Sequence, residues 1–292
     1  MTVLVTGATG NVGSAVVAEL RARGAAVRAF VRHAERAAER LGGDVELVPG
    51  DFDDPASVAS AVDGVESVFL SSADGPRKVE HERTVVDASA AAGVGLVVKA
   101  STLAADPGSA LAPLAWNGRS EEHLHRSGVP FTILASAFYM TNLLAGAEEI
   151  RQGRLFAPAG NGRIAMVDPR DVGTVGAVVL TTDGHEGRTY RLTGPQAVSY
   201  AEVAEALAAA TGGPVEYVDV PERAAREALA ASGMPGWLVA HLVGVFRMVR
   251  EDAFAAPADG VRDLTGREPR SVADFARDHA PAFRAGQAAA AS

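Results

Sequence analysis

The chain has 292 residues, 48% of them hydrophobic and 22% charged, which excludes an intrinsically disordered polypeptide and allows one large domain or two smaller ones. Its 27 basic residues are outnumbered by 36 acidic ones, for a net charge of −9, and they are scattered along the chain, so a nucleic-acid partner is excluded. With no cysteine, disulfides, thiolate nucleophiles and Cys-ligated metals are excluded together, and no metal site is expected.

Met1 to Val5 runs straight into a glycine-rich turn with no basic region before it, so no signal peptide is expected and the cytoplasm is the predicted location. Arginine outnumbers lysine 25 to 2, the bias of a high-GC bacterial source. The first half repeats one unit, a short β-branched run, a turn, then a stretch of helical period, which predicts a parallel sheet covered by helices. Strands are predicted at Val3–Thr6, Val27–Val31, Val45–Val48, Ser67–Leu70, Leu96–Ala100 and Phe131–Leu134. Helices are predicted at Val12–Arg23, Ala34–Leu41, Ala56–Val62 (Asp54 as N-cap, Pro55 at the first position), Val79–Ala92 and Asn117–Ser127.

The stretch from Gly128 to Ala147 carries no charge and is long enough to span a bilayer. Its Pro130, Thr132, Ser136, Thr141 and Asn142 instead predict a buried strand running into a helix, and no membrane partner is expected. From about Arg151 short strands (Arg163–Val167, Thr189–Leu192, Val215–Val218) are set among longer helices, and Ser199-Tyr200-Ala201-Glu202 and Ser271-Val272-Ala273-Asp274 have the form of capping boxes. The tail from Ala285 to Ser292 is expected to fray. The fold class is therefore α/β, a Rossmann-type doubly wound parallel sheet over residues 1–150 with a smaller, helix-rich C-terminal domain over 151–292, some of whose strands return to the Rossmann sheet.

Gly7-Ala8-Thr9-Gly10-Asn11-Val12-Gly13 follows a predicted strand and opens a predicted helix. In that setting the glycines permit a tight turn and let backbone N–H groups approach a pyrophosphate at the helix N-terminus. The second strand ends in Val31-Arg32-His33, where an NAD site would carry Asp or Glu for the ribose 2′-hydroxyl. Arg32, with Arg36 one helical turn on, suits a 2′-phosphate, so NADP(H) is the expected cofactor.

These residues, with Gly50-Asp51-Phe52, Ser71-Ser72, Lys99-Ala100-Ser101-Thr102, the segment Ser127 to Leu134, Phe138 to Asn142, Asp168-Pro169-Arg170-Asp171 and Leu192-Thr193-Gly194-Pro195, resemble the NmrA-like group of atypical short-chain dehydrogenases/reductases over nearly the whole chain. That group includes NADPH-dependent quinone reductases and NADP-sensing regulators. The resemblance implies that Gly7, Thr9, Gly10, Asn11, Val12 and Gly13 hold the cofactor with Arg32. It further implies that Asp51 and Phe52 lie by the adenine, that Ser71 and Ser72 border the ribose and pyrophosphate, and that Phe138 and the end of the fifth strand also reach the cofactor.

The wider superfamily uses Tyr-x-x-x-Lys as its proton relay. No tyrosine here (139, 190, 200 or 217) has lysine four residues on; by alignment the tyrosine position falls on Asn117 and the lysine position on Glu121. Many NmrA-like sequences carry histidine in place of Asn117 and Arg-Pro in place of Ala135-Ser136. An amide orients a carbonyl but does not titrate. Ser101, Thr102 and Asn117 are accordingly assigned to the acceptor.

His123 and His125 are two apart on a helix and so do not share a face. Asp171 is expected to cap an apolar helix. Trp237 and His241 recur at helical spacing and are either second-domain core or an apolar lid over a small hydrophobic or aromatic substrate, His241 then being able to supply a proton near neutral pH. A homodimer is compatible with these features. The expected function is NADPH-dependent reduction of a small hydrophobic acceptor such as a quinone or conjugated carbonyl; a non-catalytic NADP(H) sensor and a tailoring enzyme for an aromatic polyketide-like intermediate are the alternatives.

Overall fold

In the computed structural model, which describes residues 1–284, the β-branched runs of the first half become strands and the amphipathic stretches between them helices; the tail expected to fray lies outside the described residues. The order is β1 (Thr2–Val5), α1 (Asn11–Ala22), β2 (Ala26–Val31), α2 (Ala34–Leu41), β3 (Glu46–Pro49), α3 (Pro55–Val62), β4 (Ser67–Leu70), α4 (Lys78–Ala91), β5 (Leu96–Thr102), α5 (Ala112–Arg126) and β6 (Phe131–Ser136). A 3₁₀ helix (Met140–Gly146), α6 (Ala147–Arg151), β7 (Arg154–Ala157), β8 (Arg163–Ile164), α7 (Pro169–Thr181) and β9 (Arg188–Leu192) follow. The chain continues with β10 (Val198–Ser199), α8 (Tyr200–Thr211), β11 (Glu216–Asp219), α9 (Glu222–Ala231), α10 (Gly236–Arg250), α11 (Gly260–Thr265), α12 (Val272–Asp278) and α13 (Ala280–Phe283). No described helix is long and apolar enough to cross a membrane.

Seven strands form one parallel sheet in the order β3-β2-β1-β4-β5-β6-β9. The order reverses between β1 and β4, so the fold is a doubly wound α/β sheet, whose ligand crevice forms at the carboxyl ends of the strands at such a reversal. Where one boundary near residue 150 was expected, the chain divides into two compact units made of separate stretches: Met1–Ser136 with Pro169–Leu192 and Gly260–Arg267, and Ala137–Asp168 with Thr193–Asp259 and the residues from Glu268 on.

In the first unit one face of the sheet buries Leu4, Val68, Leu70, Val97 and Ile133 against Val58, Val62, Val85, Val86 and Leu124 of α3, α4 and α5. Each such side chain contributes roughly 1.5–3 kcal/mol by leaving water. Helix α7 packs closely on α1: a Cβ at Gly173 would lie 2.4 Å from that of Ala15, and one at Gly176 would lie 3.2 Å from Val16. These glycines set how near the two helices come.

The second unit is built around Met140, Ile150, Leu155, Tyr200, Leu207 and Phe275. Both capping boxes form, Ser199 with Glu202 opening α8 and Ser271 with Asp274 opening α12. Of the expected strand Arg163–Val167 only the first two residues pair in a ladder, with β10. Ala165 and Val167 instead donate their N–H groups to Phe254 and Phe138 carbonyls as single bridges. Strand β7, pairing with β11, was not expected. Helix α5 starts five residues before Asn117, with Pro113 in its first turn. Asp171 lies inside the first turn of α7, which begins at Pro169, so it is not the cap.

Candidate functional site

β1 hands the chain to α1 through a turn that requires glycine at its first and last positions, Gly7 and Gly13. Gly7 has φ +61°, and a side chain there would lie 2.8 Å from the Ser71 carbonyl oxygen. At Gly13 a Cβ would stand 2.1 Å from the Gly7 oxygen, so the helix could not close onto the turn. A Cβ at Gly10 would meet only the Gly7 oxygen, at 3.2 Å, and otherwise enter open space. Thr9, Gly10 and Asn11 are exposed, while Val12 is buried behind them. Gly10 is the N-cap, no side chain caps the helix, and its first turn carries no acidic residue. Its N–H groups, with the positive end of the helix dipole, are therefore arranged for an anion. The residues present fit a dinucleotide pyrophosphate.

The adjoining strand ends complete this edge. Thr6 Oγ1 donates to the Ser71 carbonyl and accepts the Ser71 N–H, both at 2.9 Å, tying β1 to the residue after β4. Arg32 and Arg36 are exposed, and neither makes an ion pair among the described residues. Asp51 Oδ1 accepts the Asp53 N–H at 3.0 Å, closing an Asx turn, and Ser57 Oγ accepts the Asp51 N–H at 3.1 Å. Phe52 lies against Phe30 (5.3 Å between ring centroids) and stacks on His81 (5.4 Å, 19°). His81 Nε2 in turn meets Asp53 Oδ1 at 2.5 Å.

At the carboxyl end of β5 the structure brings Ser101 and Asn117 together with charged residues that the sequence reading did not single out as site residues. Glu82 of α4 is fully buried, with Lys78 Nζ 2.9 Å from Oε1 and Lys99 Nζ 2.9 Å from Oε2. Lys99 Nζ donates to Asn117 Oδ1 at 3.0 Å, and Asn117 Nδ2 donates to the Pro113 carbonyl at 2.9 Å. Because an ammonium only donates, the atom facing Lys99 has to be the amide oxygen, which fixes the orientation of Asn117. Ser72 Oγ donates to Glu82 Oε1 at 2.9 Å, so one network runs from the residues after β4 to α5. Ser101 Oγ donates to Glu121 Oε1, and Thr102 is half-buried at the strand end.

Burial alone would raise the Glu82 carboxyl, but the Lys78 and Lys99 ammonium groups bring it down to about 2. Burial pulls Lys99 below the ordinary lysine value against the opposing pull of Glu82, whereas Lys78 is held above it by Glu82 and Asp74 despite its own burial. The sequence did carry a signal: these are the only two lysines in a chain that otherwise uses arginine.

Phe138, Trp237 and His241 belong to the second unit, His123 and His125 to the first. Phe138 follows β6 and packs near Phe246 (6.3 Å) beside a cavity of about 650 Å³. Trp237 and His241 lie on α10, but the α10 residues that line this cavity are Leu242, Val243 and Phe246. His123 and His125 go to different neighbours, Asp87 (2.6 Å) and the edge of Phe131 (4.6 Å).

Known proteins resemble this chain along most of its length. An NAD(P)H azoreductase of Xenophilus azovorans is 36% identical over 97% of this chain and 99% of its own length. A (4-alkanoyl-5-oxo-2,5-dihydrofuran-3-yl)methyl phosphate reductase of Streptomyces griseus is 39% identical over 96% of this chain and 99% of its own. Among solved structures, an NADPH-dependent quinone oxidoreductase of Escherichia coli in complex with NADPH superposes with a TM-score of 0.85 at 28% identity, covering 94% of this chain and 99% of that one. The profile of the NmrA-like family matches residues 1–274, and the chain belongs to that family.

Proposed function

We propose that this NmrA-like oxidoreductase draws on NADPH to reduce a small hydrophobic acceptor, a quinone or a conjugated carbonyl compound. The observation that carries the reading is the turn from Gly7 to Gly13: a backbone held open by three glycines, ending in a helix N-terminus with no side-chain cap and no acidic group in its first turn. The relatives' own names, an azoreductase, a dihydrofuranone phosphate reductase and a quinone oxidoreductase, support it.

The N–H groups of the turn hold the pyrophosphate, and Arg32 meets the ribose 2′-phosphate where an NAD-selective chain would carry an acid. When bound, the nicotinamide supplies hydride. Asn117, its amide fixed by Lys99, keeps a second N–H beyond the one given to Pro113, and with Thr102 it orients the acceptor oxygen, while Ser101, whose one O–H goes to Glu121, borders the same strand end. The missing tyrosine relay is tolerable for a quinone, whose reduced oxygens are stabilised by the ring and take protons from water.

The test is multiple-turnover loss of NADPH absorbance with a panel of quinones and enones, run beside NADH and with Arg32→Ala. Turnover with an NADPH preference that disappears in Arg32→Ala is expected. Tight NADPH binding without turnover on any acceptor would replace the reductase reading with a cofactor sensor.

A further inference from the structure

Around the carboxyl end of β5 one titratable group is held by no opposite charge. Lys99 Nζ directs its three N–H groups to Glu82, to Asn117 and, at 3.1 Å, to the Ala100 carbonyl, so it has no proton to give. Glu82 has an ammonium on each oxygen, and neither the Asn117 amide nor the Thr102 hydroxyl titrates near neutral pH. Glu121, one turn along α5 from Asn117, is half-buried and makes no ion pair among the described residues; its hydrogen bond there comes from Ser101 Oγ. It occupies the position that aligns with the lysine of Tyr-x-x-x-Lys, so an acid stands on the helix where the motif has a cation, while the cation, Lys99, stands on the strand.

A serine hydroxyl has one proton and two lone pairs. With Glu121 ionised, that proton goes to the carboxylate and Ser101 has none for an acceptor. With Glu121 protonated the bond reverses: the carboxyl donates to Oγ, and the Ser101 O–H is released at the strand end. Half-burial keeps Glu121 within reach of water, from which it regains its proton. The other charged groups on the elements packed against α5 are occupied or exposed. On α4, Lys78 and Glu82 pair, Asp87 holds His123 and Arg83 faces solvent. Asp106, in the loop before α5, accepts the Gly108 N–H, and β6 carries no titratable residue. The Lys99 ammonium is the one whose charge interacts with that of Glu121.

The geometry points to Glu121 as the acid that completes reduction of a conjugated carbonyl, relaying its proton through the Ser101 hydroxyl. This rests on the reductase reading and supplies the proton source for acceptors other than quinones. A conjugated carbonyl that has received hydride from NADPH at its β-carbon, leaving NADP⁺, is an enolate with the displaced electron pair on oxygen. Ser101 gives its O–H proton to that oxygen and takes the Glu121 proton in its place, forming the enol; Glu121 is left ionised and is recharged by water. A reduced quinone needs no such relay.

The experiment measures turnover of enones and quinones by the intact chain at saturating NADPH in wild type, Glu121→Gln, Glu121→Ala and Ser101→Ala. Glu121→Gln is expected to lower the ratio of enone to quinone turnover about a hundredfold and to abolish the decline of the enone rate with rising pH that wild type shows. In Glu121→Ala, added formate, a small carboxylic acid that fits the vacated space, is expected to restore enone turnover at least about fivefold, and in Ser101→Ala, which lacks the relay, to restore none. Equal losses for the two acceptor classes, an unchanged pH profile or no response to formate would overturn the assignment. So would a loss of NADPH affinity in Glu121→Gln, read by calorimetric titration, as large as the loss of turnover. Wild type that reduces quinones but no enone overturns the assignment and leaves the reductase reading standing; wild type that reduces neither overturns both.

Discussion

Lys99 Nζ stands 2.9 Å from Glu82 Oε2 with both side chains fully buried, and the same carboxylate receives Lys78 on its other oxygen. A buried charge is costly unless it is paired, so the triad is strongly coupled. Glu82→Gln is expected to lower unfolding free energy by about 3–5 kcal/mol, because it leaves the buried Lys99 without its anion and Lys78 with Asp74 alone, at 3.5 Å. Lys99→Met removes one partner and leaves the other, and also frees the oxygen of Asn117. It should cost less than Glu82→Gln and should reduce turnover as well as stability. Denaturant unfolding beside acceptor kinetics separates the two effects.

Acid stability carries the same signature. The Glu82 carboxyl lies near 2 in the folded chain against 4.5 for the free group, so the unfolded chain binds more protons in that interval. The pairing therefore stabilises fully above the unfolded value and is lost as pH falls from about 4.5 toward 2, a total of roughly 3 kcal/mol. Stability of wild type and Glu82→Gln, measured by denaturant titration across this range, should converge as pH falls. A gap that stays constant would mean that the charge is not what Glu82 contributes.

The second and third glycines of the turn should behave differently. Gly13→Ala places a Cβ 2.1 Å from a backbone oxygen, and relief requires moving the turn, so a loss of more than about 2 kcal/mol in stability is expected together with loss of NADPH binding. Gly10→Ala meets one atom at 3.2 Å and then open space, so it should stay within about 1 kcal/mol of wild type while weakening NADPH at least about tenfold. Thermal unfolding and isothermal titration calorimetry read the contrast.

Ser199→Ala removes the side chain that accepts the Glu202 N–H at the start of α8, and with it the reciprocal contact from Glu202. A loss of about 1 kcal/mol is expected, with the kinetics unaltered.

Local chemistry made much of the first unit legible. Ser67–Leu70 and Ala34–Leu41 have the bounds their patterns predict, and Asp54 caps α3 as Asp-Pro implies. What escaped depends on residues far apart in the chain. In α4 Glu82 belongs to a run rich in charge that reads as a solvated face; it is internal only because Lys99, on the next strand, and Lys78, one turn back, converge on it. The same holds for β7, whose partner β11 lies beyond two intervening helices. The site divides likewise: a glycine turn is written in consecutive residues, whereas the setting of Asn117 is written in Lys99, Glu82 and Pro113.

Strand β9 closes the seven-stranded sheet from residues 188–192, and α11, from 260–265, belongs to the same unit. During synthesis the first 136 residues therefore emerge with β6 as an open edge, its N–H and C=O groups facing solvent along one side. A nascent or truncated chain that stops there offers a template for pairing with another copy. The interrupted layout makes this chain one whose amino-terminal half should aggregate when expressed alone and become soluble only once the returning strand is supplied.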